Sequence, residues 1–444
     1  MMTKSASTRH NWPRLVEPRE VRWSPVSAVT ANSICSIGLN ASFGALCKVR
    51  SPQGAHEDVI AEVIGLQGDC VTMMPLAQVG GVSTQSKVTL VSNESSVHVS
   101  KSLLGRVIDP LGRPLDNAGT LPNSLNSGFA GRQIEPLKRN SVCEPLDVGV
   151  RAINGVLTLA KGQRVGLIAG SGVGKSTLLG MMTRYTKADV VILALVGERG
   201  REASEFITEV LGPEGLANSV VVLATSDTPA VLRKRGADTA HLLAEFFRDQ
   251  GKDVLLLCDS LTRVAQAHRE IGLAAGEPPT NKGYPPSVFS QLPKLVERGG
   301  MGDADGSITS IYTVLAEFEL GNDPIVELAR ATLDGQIMLS RDLADAGVYP
   351  AIDLRGSISR LADKVVGDSH LENAVEMRRL WSLYEENKDL IMVGAYVSGV
   401  NKDLDRAIQL RAEMTDYIQQ NRFEPCSLEN AEHELATVLG ARFT

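Results

Sequence analysis

One nonapeptide constrains this chain more than any other stretch: Ala169-Gly170-Ser171-Gly172-Val173-Gly174-Lys175-Ser176-Thr177. The apolar run Val165 to Ile168 precedes it and the helix-favouring Leu178-Leu179 follows, so strand, glycine loop and helix come in order. That order makes a phosphate-binding loop. Glycines let successive backbone N–H groups turn inward around an anion, and the following helix offers the same anion its unpaired N–H groups and positive dipole end. Gly170, Ser171, Gly172, Val173 and Gly174 form the phosphate cradle; Lys175 is spaced to reach the β and γ phosphates of a nucleotide. Ser176 or Thr177 supplies a hydroxyl for Mg²⁺. Ala169 stands where the usual pattern opens with glycine, a variation that leaves the cradle intact.

A chain of 444 residues with 43% hydrophobic content can bury more than one core, and two or three domains are expected. The net charge of -7 argues against broad sequence-independent nucleic-acid binding, which needs surplus Lys and Arg to displace counterions. Cys35, Cys47, Cys70, Cys143, Cys258 and Cys426 lack CxxC spacing, as befits buried thiols in a reducing compartment. No apolar stretch approaches membrane-spanning length and the N-terminus has no signal-peptide core, so a cytoplasmic location is expected.

The predicted fold is α/β in three parts. From about Ser33 to Val97, short alternating runs (Ala45 to Val49, Val59 to Ile64, Cys70 to Met74, Val88 to Val91) predict a small closed β-barrel, because closure removes exposed strand edges. Residues before about Arg22 show little pattern and read as a mobile arm. The turn-rich Gly105 to Asp116 links the barrel to a stretch where Val165 to Ala169, Val190 to Val196, Val220 to Leu223, Val254 to Cys258 and Ile308 to Leu315 alternate with helical segments. Such alternation predicts a P-loop domain built on a mostly parallel sheet. Charged helices, such as Leu371 to Lys388 and Leu404 to Gln420, predict a C-terminal helical domain. The expected divisions are residues 1–98, 99–363 and 364–444.

Two carboxylates complete the chemistry. Asp259 ends the apolar strand Asp253 to Cys258, which places an acid at the C-terminal edge of a parallel sheet and makes it the candidate Mg²⁺ partner. Hydrolysis also needs a carboxylate that polarises an attacking water. Glu198, in the loop Gly197 to Glu202 after a second apolar strand, is that candidate, with Arg199 and Glu202 as a supporting ion pair.

Three motifs together point to a family: AGSGVGKST, GERGRE, and Tyr349-Pro350-Ala351-Ile352-Asp353-Leu354-Arg355-Gly356-Ser357-Ile358-Ser359-Arg360. The last closely resembles the signature shared by the α and β subunits of rotary ATP synthases and the protein-export ATPases of type III secretion. The resemblance implies that Lys175 and Ser176 or Thr177 bind phosphate and Mg²⁺, that Glu198 activates water, and that Tyr349 stacks on adenine. It implies further that Arg360 is a finger crossing to the neighbouring subunit's nucleotide; a permanently charged guanidinium suits developing phosphate charge. The alternatives are a buried core aromatic for Tyr349 and an intramolecular salt bridge for Arg360.

Within that family, Asp259 to Arg263, Gly283 to Phe289 and Leu292 to Arg298 look like the secretion ATPases. Rotary catalytic subunits typically carry an arginine shortly before the GYxP segment, where this chain has Glu277. Val393 to Gly399 resembles the flagellar branch. The expectation is a homohexameric ATPase that energises flagellar protein export from the inner face of the cytoplasmic membrane. Its implied partners are the membrane gate, regulatory and stalk proteins, and chaperone-substrate complexes. The alternatives are a virulence injectisome ATPase, the catalytic subunit of a rotary proton-coupled motor, and a hexameric RNA translocase, the last disfavoured by a barrel poor in stacking aromatics.

Overall fold

The computed structural model describes residues 23–51, 58–77, 79–93, 96–121, 125–128, 134–316 and 322–440. The proposed N-terminal arm lies outside them. Six strands, β1 (Trp23–Val29), β2 (Ile34–Ile37), β3 (Leu46–Arg50), β4 (Val59–Gln67), β5 (Cys70–Pro75) and β6 (Lys87–Ser92), close a barrel in the order β1-β2-β5-β4-β3-β6. It fills with alternate residues such as Val26, Ile34, Cys47, Ala61 and Met73. The barrel begins ten residues before the expected Ser33. In β1 a proline and two serines interrupt the apolar alternation, and pairing with β2 and β6 supplies the order that the local sequence lacks.

Strands β7 (Ser96–Val99) and β9 (Leu125–Gly128) pair with each other, while β8 (Arg106–Ile108) joins the central sheet. The turn-rich linker is therefore partly structural. The remaining strands are β10 (Arg164–Ala169), β11 (Val190–Val196), β12 (Ser219–Ala224), β13 (Asp253–Asp259), β14 (Gly300–Met301), β15 (Ser307–Leu315), β16 (Gly335–Leu339) and β17 (Ile352–Ser359). The sheet runs β17-β16-β10-β15-β13-β11-β12-β8, with β14 attached to β15. All pairs are parallel except β16 with β17 and β14 with β15. Apolar residues run almost unbroken through β11 and β13 because both faces are covered, as parallel sheets require.

Helices Ala230–Arg248, Leu261–Ala274, Pro286–Val296 and Pro324–Thr332 cover one face. The other receives helix Lys175–Tyr185 and the C-terminal helices, through Trp381, Met414, Ile418 and Leu435. The predicted helix Leu371 to Lys388 lies inside Asp368–Met392. The segment Leu404 to Gln420, read as one helix, is two, Lys402–Gln409 and Arg411–Ile418, parted at Leu410; Leu428–Val438 follows as a further helix. Splitting at Leu410 lets both pieces turn apolar residues inward, Leu404 and Ala407 from one and Met414 and Ile418 from the other.

Barrel and core meet through Ile64 and Met74 against Ala230, Val231 and Ala267. Beside this apolar seam, buried Glu62 of β4 pairs with buried Arg235 of helix Ala230–Arg248 at 2.5 Å.

Candidate active site

The glycine loop leaves the C-terminal end of β10 and ends at Gly174, whose φ of 88° is left-handed and which stands as the N-cap of helix Lys175–Tyr185. A side chain there would be doubly opposed, because a Cβ would also lie 3.2 Å from the Tyr349 ring. The loop opens onto a cleft of about 600 Å³ whose walls include Glu198, Arg199, Ser226 and Arg263. A smaller cavity of about 200 Å³ brings Ser176, Glu198 and Asp259 to one space.

Lys175 projects between the two predicted carboxylates. Its Nζ lies 2.5 Å from Asp259 Oδ1, 2.7 Å from Asp259 Oδ2 and 3.0 Å from Glu198 Oε1. Burial works against the charge on Lys175, but the carboxylates of Asp259 and then Glu198 outweigh it and hold the pKa above the usual lysine value. Glu198 comes from β11, which β15 and β13 separate from β10, so it does not stand on a strand next to the phosphate loop. It reaches the loop because β11 continues into Gly197, whose φ of 76° turns the chain. A Cβ on Gly197 would strike the Arg263 stem at 2.7 Å, so the absence of a side chain lets Arg263 cross there.

Ser176 borders both cavities, whereas Thr177 borders the larger alone. Two carboxylates and a hydroxyl form an all-oxygen donor set suited to a hard cation such as Mg²⁺, which typically takes one or two carboxylates and completes its shell with water and phosphate oxygens. Arg199 Nη1 and Glu202 Oε1 form the expected pair at 3.3 Å on the exposed rim.

Tyr349 and Arg360 sit at opposite ends of the sheet. Tyr349 precedes β17, is 42% exposed and has its ring against Gly174. It is not a buried core aromatic. Because β17 runs antiparallel to β16, it carries the chain away from the loop, and the Arg360 N–H donates to the carbonyl of Asp334. Asp334 in turn donates its N–H to the carbonyl of Arg164, at the start of β10. From Arg164 to Ala169, at about 3.3 Å per residue, the strand climbs roughly 17 Å to the loop. Arg360 is exposed, and its Nη2 donates to the carbonyl of Arg330 at 3.2 Å. Among the described residues it forms no salt bridge.

Arg263, Ser226 and Thr313 belong to this neighbourhood and were not singled out from sequence. Only for Arg263 was a signal available, four residues after Asp259 in the first turn of helix Leu261–Ala274. Glu277 also finds its place: its Oε2 accepts the Ser287 N–H at 3.3 Å, setting a negative charge at the first turn of helix Pro286–Val296.

Residues 149–359 match the ATP synthase alpha/beta family, nucleotide-binding domain, and residues 366–437 match the C-terminal domain of the type III secretion ATPase EscN. The chain is 50% identical over 404 residues to the flagellum-specific ATP synthase of Pseudomonas aeruginosa, covering 90% of each. It is 43% identical over 417 residues to the type 3 secretion system ATPase of Xanthomonas euvesicatoria, covering 94% of each. The assembled ATPase EscN of enteropathogenic E. coli superposes with a TM-score of 0.88 at 41% identity, over 94% of this chain and 100% of that one. With this similarity spanning barrel, sheet and C-terminal helices alike, the chain belongs to the family of flagellar and type III secretion ATPases, within the ATP synthase alpha/beta family.

Proposed function

We propose that this chain is the ATPase that energises flagellar protein export, working as a homohexamer at the inner face of the cytoplasmic membrane. The observation that carries the reading is the convergence of Lys175, Glu198 and Asp259 on one cleft. The flagellar branch is favoured by the 50% identity to a flagellar relative against 43% to an injectisome one. One structural relative is described as assembled and another as bound to its central stalk, which supports an oligomer with a stalk partner here. No helix among the described residues is long and apolar enough to cross a membrane. Attachment at the membrane gate, and delivery of chaperone-bound cargo to it, complete the reading.

In this reading Gly170 to Gly174 hold the phosphates through backbone N–H groups, and Lys175 leaves its carboxylate partners to meet the β and γ phosphates. Ser176 and Asp259 would hold Mg²⁺, which when bound neutralises phosphate charge. Glu198, released from Lys175, accepts a hydrogen bond from the attacking water and draws its proton. Tyr349 covers the base, and Arg360 serves the neighbouring subunit's site, lying at the far end of its own sheet. In flagellated cells carrying only a Lys175→Ala copy, filaments should fail to assemble while respiration-linked ATP synthesis continues. Normal filaments with impaired ATP synthesis would overturn the export reading in favour of the rotary one.

A further inference from the structure

Thr313 is one of four buried Ser and Thr residues of β15, with Ser307, Thr309 and Ser310. It lies near the end of β15, the strand between β10 and β13, with Ile311 and Val314 as fully buried companions, and is itself fully buried. A hydroxyl removed from water needs a hydrogen-bond partner to be tolerated. Thr313 Oγ1 lies 2.6 Å from Asp259 Oδ1 and 3.4 Å from the carbonyl of Cys258. A hydroxyl has one hydrogen to give, and the shorter, charged acceptor takes it. The contact is anchored on both sides by regular strand, since Cys258 pairs with Tyr312 and sets Thr313 beside Asp259.

Asp259 therefore has two kinds of donor: the ammonium of Lys175, from the first turn of a helix, on both oxygens, and the hydroxyl of Thr313, from within a strand, on Oδ1. If Lys175 turns to phosphate, the carboxylate loses its cation, and the terminal torsion of an aspartate is broad and two-fold. We infer that Thr313 is a positioning residue: it fixes the rotation of the Asp259 carboxylate through the exchange of Lys175, so that Oδ2 faces the metal side of the cleft. This rests on the reading that Asp259 faces Mg²⁺.

The test compares Thr313→Val, which keeps the shape and removes the hydroxyl, with Thr313→Ser, which restores it; Thr313→Ala substitutes if the valine variant does not fold. Affinity for a fluorescent ATP analogue is measured in EDTA and across a Mg²⁺ titration, beside hydrolysis. In EDTA all variants should match the parent. Thr313→Val should need roughly tenfold more Mg²⁺ for the half-maximal binding response, the size expected for one hydrogen bond to a charged group, and Thr313→Ser should recover most of it. An unchanged Mg²⁺ response in Thr313→Val, with Asp259→Asn shifted, overturns the inference alone. An unchanged response in Asp259→Asn overturns the metal assignment and the inference with it.

Discussion

The ammonium of Lys175 is held by both carboxylate oxygens of Asp259, at 2.5 and 2.7 Å. In the proposed mechanism a nucleotide entering the cleft competes with that clasp, and binding exchanges one set of anionic partners for another. Lys175→Ala abolishes the exchange and leaves Asp259 facing Glu198 without a cation between them. ATP affinity or turnover should fall sharply while the circular dichroism spectrum stays that of the parent. Undiminished hydrolysis by the folded variant would remove Lys175 from the phosphate site.

Glu198 separates chemistry from binding. Glu198→Gln preserves shape and loses basicity, so Mg-ATP should bind about as tightly while turnover drops by a factor on the order of 10² to 10⁴. Isothermal titration and single-turnover hydrolysis on the same preparation distinguish the two. Lost affinity with normal turnover per bound ATP would contradict the role.

For Arg360, the position at the far end of β17 makes action on its own nucleotide geometrically unfavourable. Arg360→Ala should assemble and bind ATP yet hydrolyse it poorly, by on the order of 10³ to 10⁵ if it acts as a finger. Mixing it with Lys175→Ala should restore part of the activity, because some mixed interfaces pair an intact loop with an intact finger. No rescue in demonstrably mixed oligomers would place Arg360 outside a shared site.

His241 gives an acid limb to stability. It is fully enclosed, with Nδ1 donating to the Ala237 carbonyl and Nε2 accepting from the Tyr312 hydroxyl, an arrangement only the neutral ring can make. Burial, then nearby Arg298, pushes its pKa down to about 3, against weaker opposing effects of the Ala237 carbonyl and Asp238. An unfolded imidazole titrates near 6.5, so the unfolded chain binds more protons between about pH 6.5 and 3. The stability contribution is complete above that window and is lost through it by roughly 1.4 kcal/mol per pH unit. Urea midpoints measured from pH 7 to 4 should fall less steeply in His241→Gln than in the parent.

The pair Glu62 and Arg235 couples barrel to core. Breaking a buried ion pair by removing one partner costs about 3 to 5 kcal/mol. In Glu62→Ala, calorimetry should show the barrel melting ahead of the sheet domain, where the parent melts with the two joined. Coincident melting at the parent temperature would mean the apolar seam alone holds the joint.

What sequence makes legible here is local chemistry. The glycine loop, the acid at the end of β13 and the acid after β11 each announce themselves within a dozen residues, since strand, turn and helix preferences act at that range. Strand order does not. Thr313 is one of several hydroxyl residues in its strand, Ser307, Thr309 and Ser310 among them, with nothing nearby to mark its partner, which comes from a strand 54 positions away in sequence. Likewise Tyr349 and Arg360 stand in one continuous motif, and only the reversed direction of β17 reveals that they lie at opposite ends of the sheet. The early barrel strands escaped for the complementary reason: Pro25 and the serines of β1 weaken its pattern, and cross-strand pairing restores what local preference withholds.

Strand β8 finishes one margin of the central sheet. It covers the outer side of β12, whose sequence Ser219-Val220-Val221-Val222-Leu223-Ala224 would otherwise offer a bare row of amide and carbonyl groups on a strongly β-prone segment. A protease cut or truncation that detached residues 106–108 along with the barrel would leave the nucleotide core folded around an adhesive margin. The segment that looks like a tether between two units acts as the hem of the sheet.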